Sequence, residues 1–248
     1  MRIPAVAGSF YPSTKGKCVE FIESNSCTEN TNSKVVVNPH AGWGFSGKTA
    51  IHSFMSLKNS GSNRFLIIGP SHYFSDGVFL SGQDWKTPLG IAKHDKNLVN
   101  QLGFEVNENF HEPEHSIEVQ IPFLQYFFKK FTFAALLLGD QSWSSCLQVA
   151  KSIPDDVAVI ASSDFTHYEP EKTARSKDFE AIELVEKLKS REFSELVEKN
   201  NLSICGYGPI TIAIEVAKRN CRKGVLLDFS NSGETGRGVV DYVSLAFV

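Results

Sequence analysis

Four short polar segments carry the groups that could do chemistry in this chain: Asn38-Pro39-His40-Ala41-Gly42, Gly69-Pro70-Ser71-His72, Ser162-Ser163-Asp164-Phe165-Thr166-His167 and Ile204-Cys205-Gly206. The first three follow runs of β-branched or large aliphatic residues, namely Val35-Val36-Val37, Phe65-Leu66-Ile67-Ile68 and Val157-Ala158-Val159-Ile160-Ala161. In open α/β sheets ligands sit outside the carboxyl ends of the strands, so residues just past such runs converge on one crevice. Imidazoles, a carboxylate and a thiol gathered there make a plausible metal site. Two imidazoles with a thiolate suit Fe(II), Zn(II) or copper and leave positions open for substrate. Pro39 and Pro70 fix backbone direction beside His40 and His72. Gly206-Tyr207-Gly208-Pro209 bends the chain after Cys205 and starts a helix, whose amino terminus favours the thiolate.

Each group also has a plainer reading. Taken alone, His40 or His72 is a hydrogen-bonded structural histidine; the repeated setting is what argues for ligation. Asp164 ligates a metal, orients an imidazole, or caps a helix. Ser163 beside Asp164 and His167 suggests a hydrolase, but no GxSxG elbow supports it. Cys205 as a nucleophile with His167 as its base is a third reading. In Glu114-His115-Ser116-Ile117-Glu118, His115 and Glu118 are spaced to share a face at a helix start, as functional groups or as a first-turn charge pattern. His52, His94 and His111 lack a supporting motif and read as surface or structural residues.

The elements that must position these groups alternate along the chain. Besides the three runs above, 131–138, 224–229 and 239–248 read as strands. Helical spacing joins Ala50, Ile51, Phe54 and Leu57; Leu98 and Leu102, between Asp95 and Gly103; and Leu147, Ala150 and Ile153 after a capping Ser142. One helix is expected over 173–190, with Phe179, Ile182, Val185 and Leu188 on one side and a Glu183–Lys187 pair on the other. Another starts at Pro209 and carries Ile210, Ala213, Ile214 and Ala217. Pro122 starts or kinks a helix, and 24–33 is a polar surface loop. The pattern predicts one α/β domain over 1–248 with a mixed sheet, because its last strands follow each other without a helix between them.

Composition narrows the function. With 25 Lys and Arg against 28 Asp and Glu, the net charge is −3 and no basic block tracks phosphates, so nucleic acid is not an expected partner. No stretch has the apolar length of a membrane span, and the amino terminus is too short in apolar residues for a secretory signal, which predicts a cytoplasmic protein. The five cysteines, Cys18, Cys27, Cys146, Cys205 and Cys221, form no CxxC pair, so they read as free thiols. Tyr126, Phe127 and Phe128 either support a homo-oligomer or belong to the core.

Together with Ala7-Gly8-Ser9-Phe10-Tyr11, these ordered motifs resemble the Memo-like family over nearly the whole chain. That family is similar in fold to class III extradiol dioxygenases, iron enzymes that open catechol rings. The resemblance implies a single α/β domain, a mixed sheet flanked by helices, with one cleft. It matches His40, His72 and Cys205 to metal-binding positions and sets Asp164 and His167 in the same pocket. The dioxygenases use a glutamate where Cys205 stands, and a thiolate changes the charge balance and redox preference of the metal. Phe10 replaces a tryptophan that lines a peptide-binding pocket in the eukaryotic member. Microbial members imply a functional link to Ammecr-type and radical-SAM proteins.

The expectation is a mononuclear metal protein, Fe(II) first and Cu or Zn next, with redox or dioxygenase-like chemistry on an unidentified small molecule. His167 would act as acid or base, Asp164 would orient it or join the coordination shell, and His115 would assist. The alternative is a non-catalytic module that binds a peptide or partner protein in the same cleft.

Overall fold

Strand β1 (Val35–Asn38) alternates its side chains between two apolar layers, and the same holds for its neighbours in a computed structural model that describes residues 1–233 and 236–248. Val35 and Val37 face one core, with Leu66, Ile68, Leu136 and Val159; Val36 faces the other, with Phe65, Ile67, Phe133 and Ile160. Both faces of the sheet are therefore covered, which is why these strands read as unbroken aliphatic runs.

Among the described residues the sheet has nine strands. Besides β1 they are β2 (Arg64–Pro70), β3 (Val78–Ser81), β6 (Glu105–Val106), β7 (Thr132–Leu138), β8 (Ala158–Ser162), β9 (His167–Glu169), β10 (Gly224–Asn231) and β11 (Val239–Phe247); a separate hairpin joins β4 (Trp85–Thr87) to β5 (Gly90–Ala92). The order is β10-β11-β1-β8-β2-β7-β3-β6, with β9 on β11. Strands β1, β8, β2 and β7 run parallel, while β3 pairs antiparallel with β7 and β11 antiparallel with β1. The sheet is mixed, as its consecutive carboxyl-terminal strands predict.

On one face lie α1 (Lys15–Ser24), α2 (Trp43–Asn59) and α5 (Ile121–Phe127). On the other lie α3 (Lys96–Leu102), α6 (Trp143–Ser152), α7 (Glu171–Glu186), α8 (Ser190–Asn200) and α9 (Tyr207–Ala217); the short α4 (Glu108–His111) packs beside β3. Asp95 caps α3 by accepting the Leu98 N–H at 2.9 Å, and Gly103 closes it with φ 72°. Ser142 caps α6, and Pro122 sits in the first turn of α5. The helix expected over 173–190 is α7, which ends at Glu186, short of that bound, because Leu188 adopts φ 57° and turns the chain into α8. Tyr126, Phe127 and Phe128 are half-buried against the core. Among the described residues no helix is long and apolar enough to cross a membrane.

Candidate metal centre

Three neighbouring parallel strands each deliver a site residue two positions past their last residue: His40 after β1, Asp164 after β8 and His72 after β2. Since β8 lies between the other two, His40 and His72 leave the sheet roughly 10 Å apart, two strand spacings. Their side chains close that gap, with ring centroids 5.3 Å apart and planes at 90°. Cys205 arrives from the loop between α8 and α9, laid across the end of β8. Its N–H donates to the Asp164 carbonyl at 3.3 Å, and the Gly206 N–H donates to Ser163 Oγ at 2.9 Å. A Cβ on Gly206 would lie 2.4 Å from the Ser162 carbonyl oxygen, so only glycine allows this approach.

The ligand atoms of His40, His72 and Cys205 all lie within 4.8 Å of one another, and His40 Nε2 is 3.3 Å from Cys205 Sγ. Donors around a tetrahedral ion at ordinary metal–nitrogen and metal–sulfur lengths are roughly 3.3–3.6 Å apart, so the set fits a first-row transition metal. His72 Nδ1 donates to Glu114 Oε1 at 2.9 Å, which keeps its other nitrogen bare for a metal. Glu114 is fully buried and also accepts N–H groups from His72 (2.9 Å), His115 (2.9 Å) and Ser116 (2.8 Å). Burial alone would raise its pKa, but the His72 hydrogen bond and charge, with these amides, bring it down to about 2. Glu114, His72 and His115 also cluster within 4.8 Å. Glu114 is already occupied by four N–H donors, so it serves to orient imidazoles rather than to ligate a second ion.

Burial governs the electrostatics of the cleft. It pushes His40 well below its ordinary value, helped by His72, His115 and His167, and holds His115 at about 4, with His72 adding to the effect. Burial lifts Asp164 to about 6 against the opposing pull of the His40 amide. The helix start ahead of Tyr207 predicts a thiolate at Cys205, but the structure reverses that: burial, then the Asp164 charge, pushes the thiol far up. A neutral, half-buried thiol is a poor nucleophile, and a bound cation is what would deprotonate it.

Asp164 caps no helix. Its Oδ1 accepts the His40 and Ala41 amides at 2.8 and 3.2 Å, and its Oδ2 lies 4.0 Å from His40 Nε2. His167 is oriented by Ser203 rather than by Asp164: its Nδ1 donates to the Ser203 carbonyl at 2.8 Å and its N–H to Ser203 Oγ at 2.7 Å. His167 still bears electrostatically on both His40 and Asp164. His115 stacks between His72 and Phe10, with centroids 4.5 and 4.6 Å away. Ser163 is buried, donates to the Asp164 carbonyl at 2.8 Å and has no histidine partner, which removes the hydrolase reading.

Glu118 does not share a functional face with His115. It is buried against Arg2, Tyr11 and the amides of Ala5 and Val6, where it ties down the amino-terminal segment. His111 is buried against Trp85, and His94 pairs with Asp84. All five cysteines are free. Sequence reasoning missed Glu114, Gln120, Ser162 and Ser203. The acid beside His115 was a signal for Glu114, and Ser162 lies in a polar segment already singled out, whereas no local pattern marks Gln120 or Ser203.

Residues 2–247 match the model of a family described as Memo-like protein. The chain is 40% identical to the MEMO1 family protein of Thermoplasma volcanium over 265 residues, covering 99% of this chain and 97% of that one. It is 38% identical to the MEMO1 family protein of Methanosarcina barkeri over 266 residues, covering 99% of each. Among solved structures, an uncharacterized protein from Escherichia coli K12 shares the fold, with a TM-score of 0.54 at 12% identity over 85% of this chain and 98% of that one.

Proposed function

The chain belongs to the Memo-like protein family, and from that premise we propose that it is a mononuclear metal-binding protein whose ion, Fe(II) first and copper or zinc next, is held by His40, His72 and Cys205 for redox or dioxygenase-like chemistry. The observation that carries this reading is the 3.3 Å approach of His40 Nε2 to Cys205 Sγ, with His72 completing a compact donor set. Iron or copper bound there would supply Lewis acidity and electron transfer.

The protein's own groups would hold the substrate's protons. His167 has its Nδ1 engaged with Ser203 and so has Nε2 free to accept one. Asp164, lifted to about 6, can carry a proton near neutrality. His115, held at about 4 by burial, stays neutral and can take part only through hydrogen bonds beside His72. The His72 side chain is 33% exposed, so a small molecule can reach the donor set from solvent.

Elemental analysis and spectroscopy of anaerobically purified protein test the proposal. One ion per chain in the wild type, lost in His40→Ala, His72→Ala and Cys205→Ser, is the expected result. A folded wild type that takes up no Fe(II), copper or zinc would overturn it.

A second reading rests on three exposed aromatic rings carried by the segments that bear the cleft histidines. Phe45, Tyr73 and Tyr168 are exposed at 63%, 61% and 67%, each close in sequence to a cleft histidine. Tyr168 also keeps φ 59°, a strained value for a non-glycine residue. Exposed rings of this kind suit a peptide or partner protein, and binding of that kind would survive His40→Ala and Cys205→Ser.

A further inference from the structure

We propose that Ser162 is a positioning residue that forces the neutral His40 ring to carry its proton on Nδ1, leaving the Nε2 lone pair directed at the gap between His72 and Cys205. The inference rests on the metal-binding reading above only for its consequence; the proton placement follows from counting donors. Ser162 Oγ touches three groups: the Ser116 carbonyl at 2.7 Å, Gln120 Nε2 at 2.9 Å and His40 Nδ1 at 3.0 Å.

A carbonyl only accepts, so the single Ser162 proton goes to Ser116. Gln120 faces Ser162 with its amide nitrogen, because that same nitrogen reaches the Pro39 carbonyl at 2.9 Å while its oxygen accepts from Asn38 Nδ2 at 2.6 Å. Gln120 therefore donates to Ser162. The hydroxyl has no proton left for His40, and His40 Nδ1 must donate to it. Ser116, Gln120 and Ser162 are fully buried and His40 nearly so, which shields the Ser162 hydroxyl from bulk water. His72 reaches the same tautomer through the Glu114 carboxylate. The two ligands are thus held by a neutral and an anionic partner, respectively.

The test uses the full chain with 15N-labelled histidine, measured metal-free by NMR and then titrated anaerobically with Co(II) while its absorption is followed. Wild type is expected to show His40 protonated at Nδ1. Ser162→Ala removes the acceptor at almost no change in volume, so His40 should shift toward the Nε2–H form and Co(II) affinity should fall about 10–100-fold. Gln120→Ala removes more packing but leaves the Ser162 proton on Ser116. It should lower Tm more than Ser162→Ala does, yet weaken Co(II) less. A purely structural role predicts the reverse order of affinities. An Nδ1–H ring that persists in Ser162→Ala, or equal Co(II) affinity in that variant, would overturn the proposal. A tautomer shift in a protein whose wild type binds no metal would leave it standing and remove the metal reading instead.

Discussion

Glu114 accepts four N–H groups while fully buried, and two of them belong to His72. Glu114→Gln keeps the shape but turns an amide NH2 toward N–H donors, leaving at least one buried group unpaired. The expected cost is about 1–3 kcal/mol, read from the urea midpoint. Metal affinity should fall about 10–100-fold as His72 loses its anionic partner. Unchanged affinity would mean that His72 does not ligate. At this scale the sequence was informative about which side chains gather, because His40, His72, Asp164 and Cys205 each sit just past an apolar run or in a glycine bend. It misjudged the ionisation of Cys205, since the thiol's desolvation and its nearness to Asp164 arise where the 205 loop meets the end of β8.

At the level of elements, the cleft depends on close backbone approach. The Cβ of Gly206→Ala would meet the Ser162 carbonyl at 2.4 Å and Ser163 Cβ at 2.7 Å, so the Cys205 loop must lift off β8. We expect this variant to lose metal binding more completely than Gly208→Ala, whose Cβ would first meet the flexible Gln141 side chain, 2.9 Å away, rather than backbone. Co(II) titration of the pair checks this, and equal affinities would show that the loop is free to adapt. Gly69 works likewise: it lets Ser116 pack on β2 and so brings Glu114 and His115 to His72. Helix starts at Asp95 and Ser142 were legible because their caps are local hydrogen bonds. The break between α7 and α8 was not, because Leu188 holds φ 57° without a glycine, and tertiary packing against the core is what selects that turn.

Over the whole molecule, two buried charged arrangements set stability. Arg2 bonds Glu118 at 2.6 Å and the carbonyls of His111, Glu112 and Glu114, and its guanidinium lies 4.1 Å from the Trp85 ring centroid. Arg2→Ala strands a buried carboxylate and should cost about 3 kcal/mol, seen as a lower denaturant midpoint at unchanged slope.

The second arrangement is Asp178 with Asp241, both fully buried, with no N–H donor on either Asp241 oxygen among the described residues. Burial raises Asp178 to about 8 and raises Asp241 as well, so the pair holds a proton. Both carboxyls lie above their unfolded value of about 3.9. The stability they contribute is full below that pH and is lost as pH rises through about 8. Asp241→Asn supplies an amide donor to Asp178 and should flatten the fall in Tm between pH 5 and 8. A wild-type Tm independent of pH across that range would contradict this reading.

Alternating apolar runs and the polar segments after them were enough to establish the sheet class, its mixed character, its family resemblance and the residues that line one crevice. Those features are local or follow from a general rule of α/β topology, that strands present their carboxyl ends together. Only the tertiary structure decided that β8 lies between β1 and β2 and so sets His40 and His72 on either side of Asp164. It also decided that Glu114 rather than Glu118 serves the cleft, and that Ser162 and Gln120, far apart in sequence, lock one imidazole. Hydrogen-bond partners and burial are properties of groups brought together from distant segments, and no window of sequence contains both members of such a pair.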